Sequence, residues 1–103
     1  MAQFELTPEL LELVAERFKA LAEPARLRIL NALREGEKTV SVLMEETSLG
    51  QANISKHLQM LHALGFVKRR KEGLFVHYRL ADESVCGQLV EEASARERVL
   101  QGV

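Results

Sequence analysis

At 103 residues the chain is long enough for one domain with a buried core and too short for a second of ordinary size. Its 47% hydrophobic and 28% charged residues exclude a disordered chain; no apolar run nears the roughly 20 residues of a bilayer span, no secretory leader opens it, and a cytoplasmic protein is expected. A net charge of −1 argues against indiscriminate binding to polyanions, but it conceals a segregation: residues 1–50 sum to −3, residues 51–80 to +5 and residues 81–103 to −3, which suits one basic face for phosphates.

Few aromatics and abundant Leu and Ala favour packed helices. Thr7-Pro8-Glu9 combines a capping hydroxyl, a proline at the first helical position and an early acid, so a first helix starts there and ends near Glu23. Leu10, Val14, Phe18 and Leu21 draw one apolar stripe along it. A second helix runs from Pro24 to about Glu35, with Leu27, Leu30 and Leu33, and Ile29 alongside, as its buried side and Gly36 as its stop. A short third helix from Thr39 to Thr47 carries Val40, Leu43 and Met44. Ser48-Leu49-Gly50 makes a tight turn, and Ile54, Leu58 and Leu61 mark a fourth helix that begins at Gln51 and ends before Gly65.

Phe66 to Lys71 and Leu74 to Leu80 flank Glu72-Gly73 and read as a β-hairpin, the second run alternating Val76, Tyr78 and Leu80 with Phe75, His77 and Arg79. Residues 83–100, with Val85, Leu89, Val90, Ala93 and Leu100, supply a fifth helix. Two helices joined by a tight turn occur in many helical domains, but a basic hairpin directly after them is more specific. The expected fold is mainly α with a small β-hairpin, a winged helix-turn-helix forming one DNA-binding domain over residues 1–103.

The apolar stripe of the fourth helix fixes its opposite face. At 100° per residue, Ala52, Asn53, Ser55, Lys56, Gln59 and Ala63 point away from the core, and Gln51 stands at the helix start. Gln and Asn can pair with adenine edges, Lys donates to guanine or phosphate, and Ala permits close approach or touches a thymine methyl. No Asp or Glu occurs from 51 to 71, as a surface facing phosphates requires. His57 is expected to be half-buried or phosphate-facing and His62 to be on the surface; five residues apart, they do not share a face as a metal pair would. Strand alternation splits Lys68, Arg69, Arg70 and Lys71 between two faces, and Arg70, Lys71, His77 and Arg79 are the favoured phosphate contacts.

No Gly-rich phosphate loop, nucleophile with a base, or carboxylate cluster is visible, so neither an enzyme nor a cofactor is expected. Double-stranded DNA is the expected partner. The rival is a winged-helix module for a protein partner, for which Met60 and Phe75 alone near this surface offer little apolar area. Cys86 is the one cysteine, an inert structural thiol or a sensor acting alone or across a dimer.

Three stretches resemble the ArsR/SmtB family of bacterial winged-helix repressors: Phe18 to Leu30 its passage from first to second helix, Gln51 to Leu58 its recognition helix, and Val67 to Leu80 its wing. The resemblance implies a homodimer formed by the first and fifth helices, two recognition helices on successive major-groove faces of an inverted repeat, and repression of a nearby promoter. It also implies two metal sites whose ligands this chain lacks. Thr39 and Ser41 stand where a Cys-x-Cys would be; of an Asp-x-His with a later His-x-x-Glu only Asp82 remains, with Ser84, Ala95 and Arg98 at the other positions. Hydroxyls do not replace thiolates for a soft metal, and an arginine repels a cation.

Overall fold

The computed structural model describes residues 5–82 and 94–98. Thr7 opens α1 (Pro8–Leu21), its hydroxyl accepting a hydrogen bond from the Leu10 amide at 3.1 Å. Such a cap stabilises a helix by about 1 kcal/mol. The helix stops two residues earlier than expected because Pro24 holds Glu23 in extended backbone, φ −102° and ψ 117°. The same proline starts α2 (Pro24–Leu33). Here too the end falls short of Glu35: the amides of Arg34, Glu35 and Gly36 bond three residues back, to Asn31, Ala32 and Leu33, so the last turn tightens and leaves the α-helix.

The buried side of α2 is Ile29, Leu30, Ala32 and Leu33; Leu27 is not part of it and stands 44% exposed. Spacing of three residues drifts around a helix by about 60° per step, so a stripe centred between Ile29 and Leu33 leaves Leu27 about 140° from its middle, on the far side of the helix.

A two-residue strand, β1 (Lys38–Thr39), precedes α3 (Val40–Thr47). No such strand was expected, because two residues leave no alternation to read. Thr39 also caps α3, its hydroxyl accepting from the Val42 amide at 3.4 Å. Lys38, with a side chain only 10% exposed, ties this corner together by pairing with Glu46 on α3 and with Glu35 at 3.4 Å.

The turn between α3 and α4 (Gln51–Ala63) is built by Ser48 in left-handed backbone (φ 61°), its amide bonded to the Met44 carbonyl. Thr47 reinforces it, donating to the Leu43 carbonyl at 2.6 Å and accepting from the Leu49 amide at 3.3 Å. Ile54, Leu58 and Leu61 of α4 are fully buried, as the sequence pattern requires. Each side chain buried this way contributes about 1.5–3 kcal/mol. They meet Ile29, Leu30 and Leu33 of α2, Leu43 of α3, and Val67 and Leu80 from the hairpin in one core.

At the far end of α4, the Phe66 amide reaches back to the Leu61 carbonyl at 2.9 Å and the Gly65 amide to that of His62 at 3.1 Å, a Schellman closure with Gly65 at φ 83°. This closure delivers the chain directly into β2 (Val67–Glu72), which pairs antiparallel with β3 (Phe75–Leu80). The two-residue turn is Gly73-Leu74 rather than Glu72-Gly73: Glu72 still pairs with Phe75, and Gly73, at φ 59°, takes the first central position that a II′ turn reserves for glycine. The strand order is β1-β3-β2.

Of the described residues of α1, only Ala20 is buried. The helix touches the rest of the fold at its C-terminal end, where the Arg17 guanidinium sits 5.6 Å from the Phe66 ring centroid. Of its apolar stripe, Leu10 and Leu21 are half-buried, Leu21 against the core, whereas Phe18 is 70% exposed and Val14 38%, with Leu11 alongside them at 50%. Residues 94–98 are helical, within the expected fifth helix; the rest of that helix, with Cys86 and Ser84, lies outside the described residues. Among the described residues, no helix is long and apolar enough to cross a membrane.

Candidate nucleic-acid interface

Burial of Ile54, Leu58 and Leu61 orients α4, and the face opposite them is open. Gln51, Ala52, Asn53, Lys56, Gln59 and Ala63 are exposed, with Lys56 near the centre of the arc. Ser55 and His57 are half-buried on the two flanks, and His62, expected on the surface, is half-buried as well. Gly50 provides no side-chain cap, so the first turn of α4 presents its amides beside a face without carboxylates.

His57 is held by Arg26 of α2, whose Nε donates to His57 Nδ1 at 3.2 Å while its Nη1 donates to the Ala20 carbonyl at 3.1 Å. One guanidinium thus fastens the end of α1 and the flank of α4. Sequence reading missed Arg26, because a contact spanning 31 residues leaves no local pattern. Burial, and then the positive charge of Arg26, hold the imidazole below its ordinary value, with Lys56 acting in the same direction and Glu23 opposing.

A pH dependence follows. The folded protein resists protonation of His57 while the unfolded chain accepts it near pH ~6.5, so this contribution to stability is complete above that pH and is lost as the pH falls through it. Urea unfolding at pH 7.5 and 5.5 is expected to show a lower midpoint at 5.5, and His57→Gln is expected to reduce that difference. An equal difference in the variant would remove His57 as its cause.

On the hairpin, residues directly opposite share a face, so the register sorts the charges. Lys68 pairs with Arg79, and Arg70 with His77, on one face; Arg69 with Tyr78, and Lys71 with Val76, lie on the other, the same side as the buried pair Val67 and Leu80. Of the four favoured phosphate contacts, Arg70, His77 and Arg79 therefore share a face and Lys71 does not. Arg70, Lys71 and Arg79 are exposed and His77 is half-buried. At the tip Leu74 is almost fully exposed and Phe75 largely so.

Arg70 is not open to solvent on all sides. Its Nη2 donates to Glu37 Oε1 at 2.8 Å, its Nε to Glu37 Oε2 at 3.2 Å and its Nη1 to Glu72 Oε2 at 2.5 Å. Arg79 Nε stands 4.0 Å from Glu37 Oε2. These hydrogen bonds from Arg70 hold the carboxyls of Glu37 and Glu72 below the usual carboxylate range, and the guanidinium correspondingly holds its proton more firmly. Glu37 precedes β1 and lies 33 residues from Arg70, so no local pattern marks the pairing.

Among the described residues, no group of three His, Cys, Asp or Glu could hold a metal ion. Thr39, at the first Cys-x-Cys position, uses its hydroxyl to cap α3.

The model for bacterial regulatory proteins of the arsR family matches residues 23–69, from the start of α2 into β2. The chain is 41% identical over 91 residues to a homologue of the cadmium resistance transcriptional regulatory protein CadC from Staphylococcus aureus, covering 87% of this chain and 74% of that one. It is 39% identical over 74 residues to the transcriptional repressor SmtB of Mycobacterium tuberculosis, covering 72% of this chain and 55% of the repressor. Among solved structures it superposes, with a TM-score of 0.79 and 34% identity, on the homodimeric winged helix-turn-helix DNA-binding domain of a possible ArsR-family regulator from Mycobacterium bovis, covering 100% of this chain and 96% of that domain.

Proposed function

Because the chain belongs to the arsR family of bacterial regulatory proteins, and so is a DNA-binding transcriptional regulator with a winged helix-turn-helix, we propose that it represses transcription as a homodimer on an inverted-repeat operator. α4 enters the major groove, and the hairpin lies along the phosphates beside it.

The observation that carries this is the exposed face of α4. Its side chains are amides, a lysine and alanines, without a carboxylate from 51 to 71, and the Schellman closure at Gly65 sets a basic hairpin directly after it. Gln51, Asn53, Lys56 and Gln59 are the base-reading side chains, with Ala52 at close approach and Ser55 and His57 at the flanks; Arg70, Lys71, His77 and Arg79 hold phosphates. Dimerisation through α1 is supported by its uncovered apolar stripe and by the homodimeric state of the Mycobacterium bovis domain. A two-fold dimer presents two such helices to one face of the duplex.

The assay is fluorescence anisotropy on a duplex from the region upstream of the protein's own gene, against a random duplex of equal length at physiological salt. The upstream duplex is expected to bind about 10³-fold or more tightly, with an affinity that falls steeply as salt rises. Equal, weak binding to both duplexes would remove sequence-specific repression as the function.

A further inference from the structure

The three bonds that bind Arg70 to Glu37 and Glu72 share the geometry a guanidinium offers to phosphate, with the planar fork satisfied in bidentate fashion by Glu37. By contrast, among the described residues Lys68, Arg69 and Lys71 have no carboxylate within salt-bridge distance. The acid responsible comes from outside the hairpin, from the segment leading into β1, and β1 is hydrogen-bonded to β3, which keeps that segment beside the wing. Thr39 pairs with His77, and His77 with Arg70, so Glu37 lies next to the cationic face of the hairpin by sheet register.

We infer that Glu37 is a resident stand-in for a DNA phosphate on Arg70, one that the duplex must displace, and that it thereby lowers the affinity of the wing for DNA. This rests on the wing contacting phosphates as proposed above. The consequence is ionic. Held by Glu37, Arg70 leaves one phosphate per protomer without a full cationic partner. With glutamine at 37 only the single bond to Glu72 opposes the turn, the phosphate contact fills, DNA releases one more cation, and the salt dependence steepens by up to about 0.9 per protomer in log–log slope. Arg70 therefore adds little to discrimination and sets instead how tightly the dimer holds DNA of any sequence.

The test compares Glu37→Gln, Arg70→Gln and the double variant by anisotropy over a range of potassium chloride concentrations, on the upstream duplex and a random one. These residues are exposed, and a surface pair contributes little to stability, so the variants keep the fold, as circular dichroism checks. Glu37→Gln is expected to bind both duplexes several-fold more tightly with a steeper slope, Arg70→Gln more weakly, and the double variant as Arg70→Gln alone. If Arg70→Gln weakens binding but Glu37→Gln leaves it unchanged or weakens it, Glu37 positions the wing and the inference is overturned. If Arg70→Gln changes nothing, the wing contact itself is wrong at this residue and the inference falls with it.

Discussion

Reversing the charge at the centre of the α4 face, Lys56→Glu, is expected to weaken binding to the upstream duplex by about two orders of magnitude or more, with no loss of helix content. Lys56 is exposed, and no described residue depends on it for an ion pair or side-chain hydrogen bond, so the fold loses nothing. A contact to a base edge is worth about 1–3 kcal/mol, and a dimer counts it twice, which gives about 2–6 kcal/mol before the repulsion between the new carboxylate and phosphate is added. Gln51→Ala should behave differently. It removes a neutral contact, so preference for the upstream over the random duplex narrows while the slope with salt stays the same. Binding of Lys56→Glu at the parental affinity would mean that the exposed face of α4 is turned away from DNA.

Phe18→Glu is expected to split the dimer and, with it, to lose most of the DNA affinity. Phe18 is 70% exposed and stands with Leu11 and Val14 on a stretch of α1 that the other described residues leave open, while α1 is kept in place at its C-terminal end through Arg17, Ala20 and Leu21. A dimer across this stripe contains Phe18 from both protomers, so the variant buries two unpaired carboxylates in an apolar contact. Sedimentation at micromolar concentration should report a monomer with its far-ultraviolet circular dichroism retained. The two half-sites then bind independently and the gain from tethering, about 10²–10⁴-fold, disappears. A variant that stays dimeric with undiminished affinity would place the interface elsewhere.

Much of this architecture was readable from residue spacing because the informative contacts are local. The apolar positions of α4 recur at intervals of four and three, and all three are buried; Thr7 and Pro8 begin α1 as their chemistry requires. Errors arose where neighbours distant in sequence decide. Leu27 continued a plausible stripe but the core chose Ile29, a matter of which side of α2 faces α3 and α4. β1 exists because β3 offers it an edge, and two residues carry no period of their own. The hairpin turn moved by one residue because pairing of Glu72 with Phe75 leaves Gly73 where positive φ is needed. At the interface, composition revealed a basic, acid-poor segment, but not that Glu37 and Arg26, outside it, hold two of its members.

If α4 reads the major groove in two places related by two-fold symmetry, guanine N7 methylation on the upstream duplex must interfere with binding, because N7 lies in the major groove and methylation blocks a side chain there without altering the phosphates. Two symmetric clusters of interfering guanines about 10 base pairs apart, or a multiple of that spacing, both lost with Lys56→Glu, are the predicted result. Binding insensitive to N7 methylation at every guanine would contradict it.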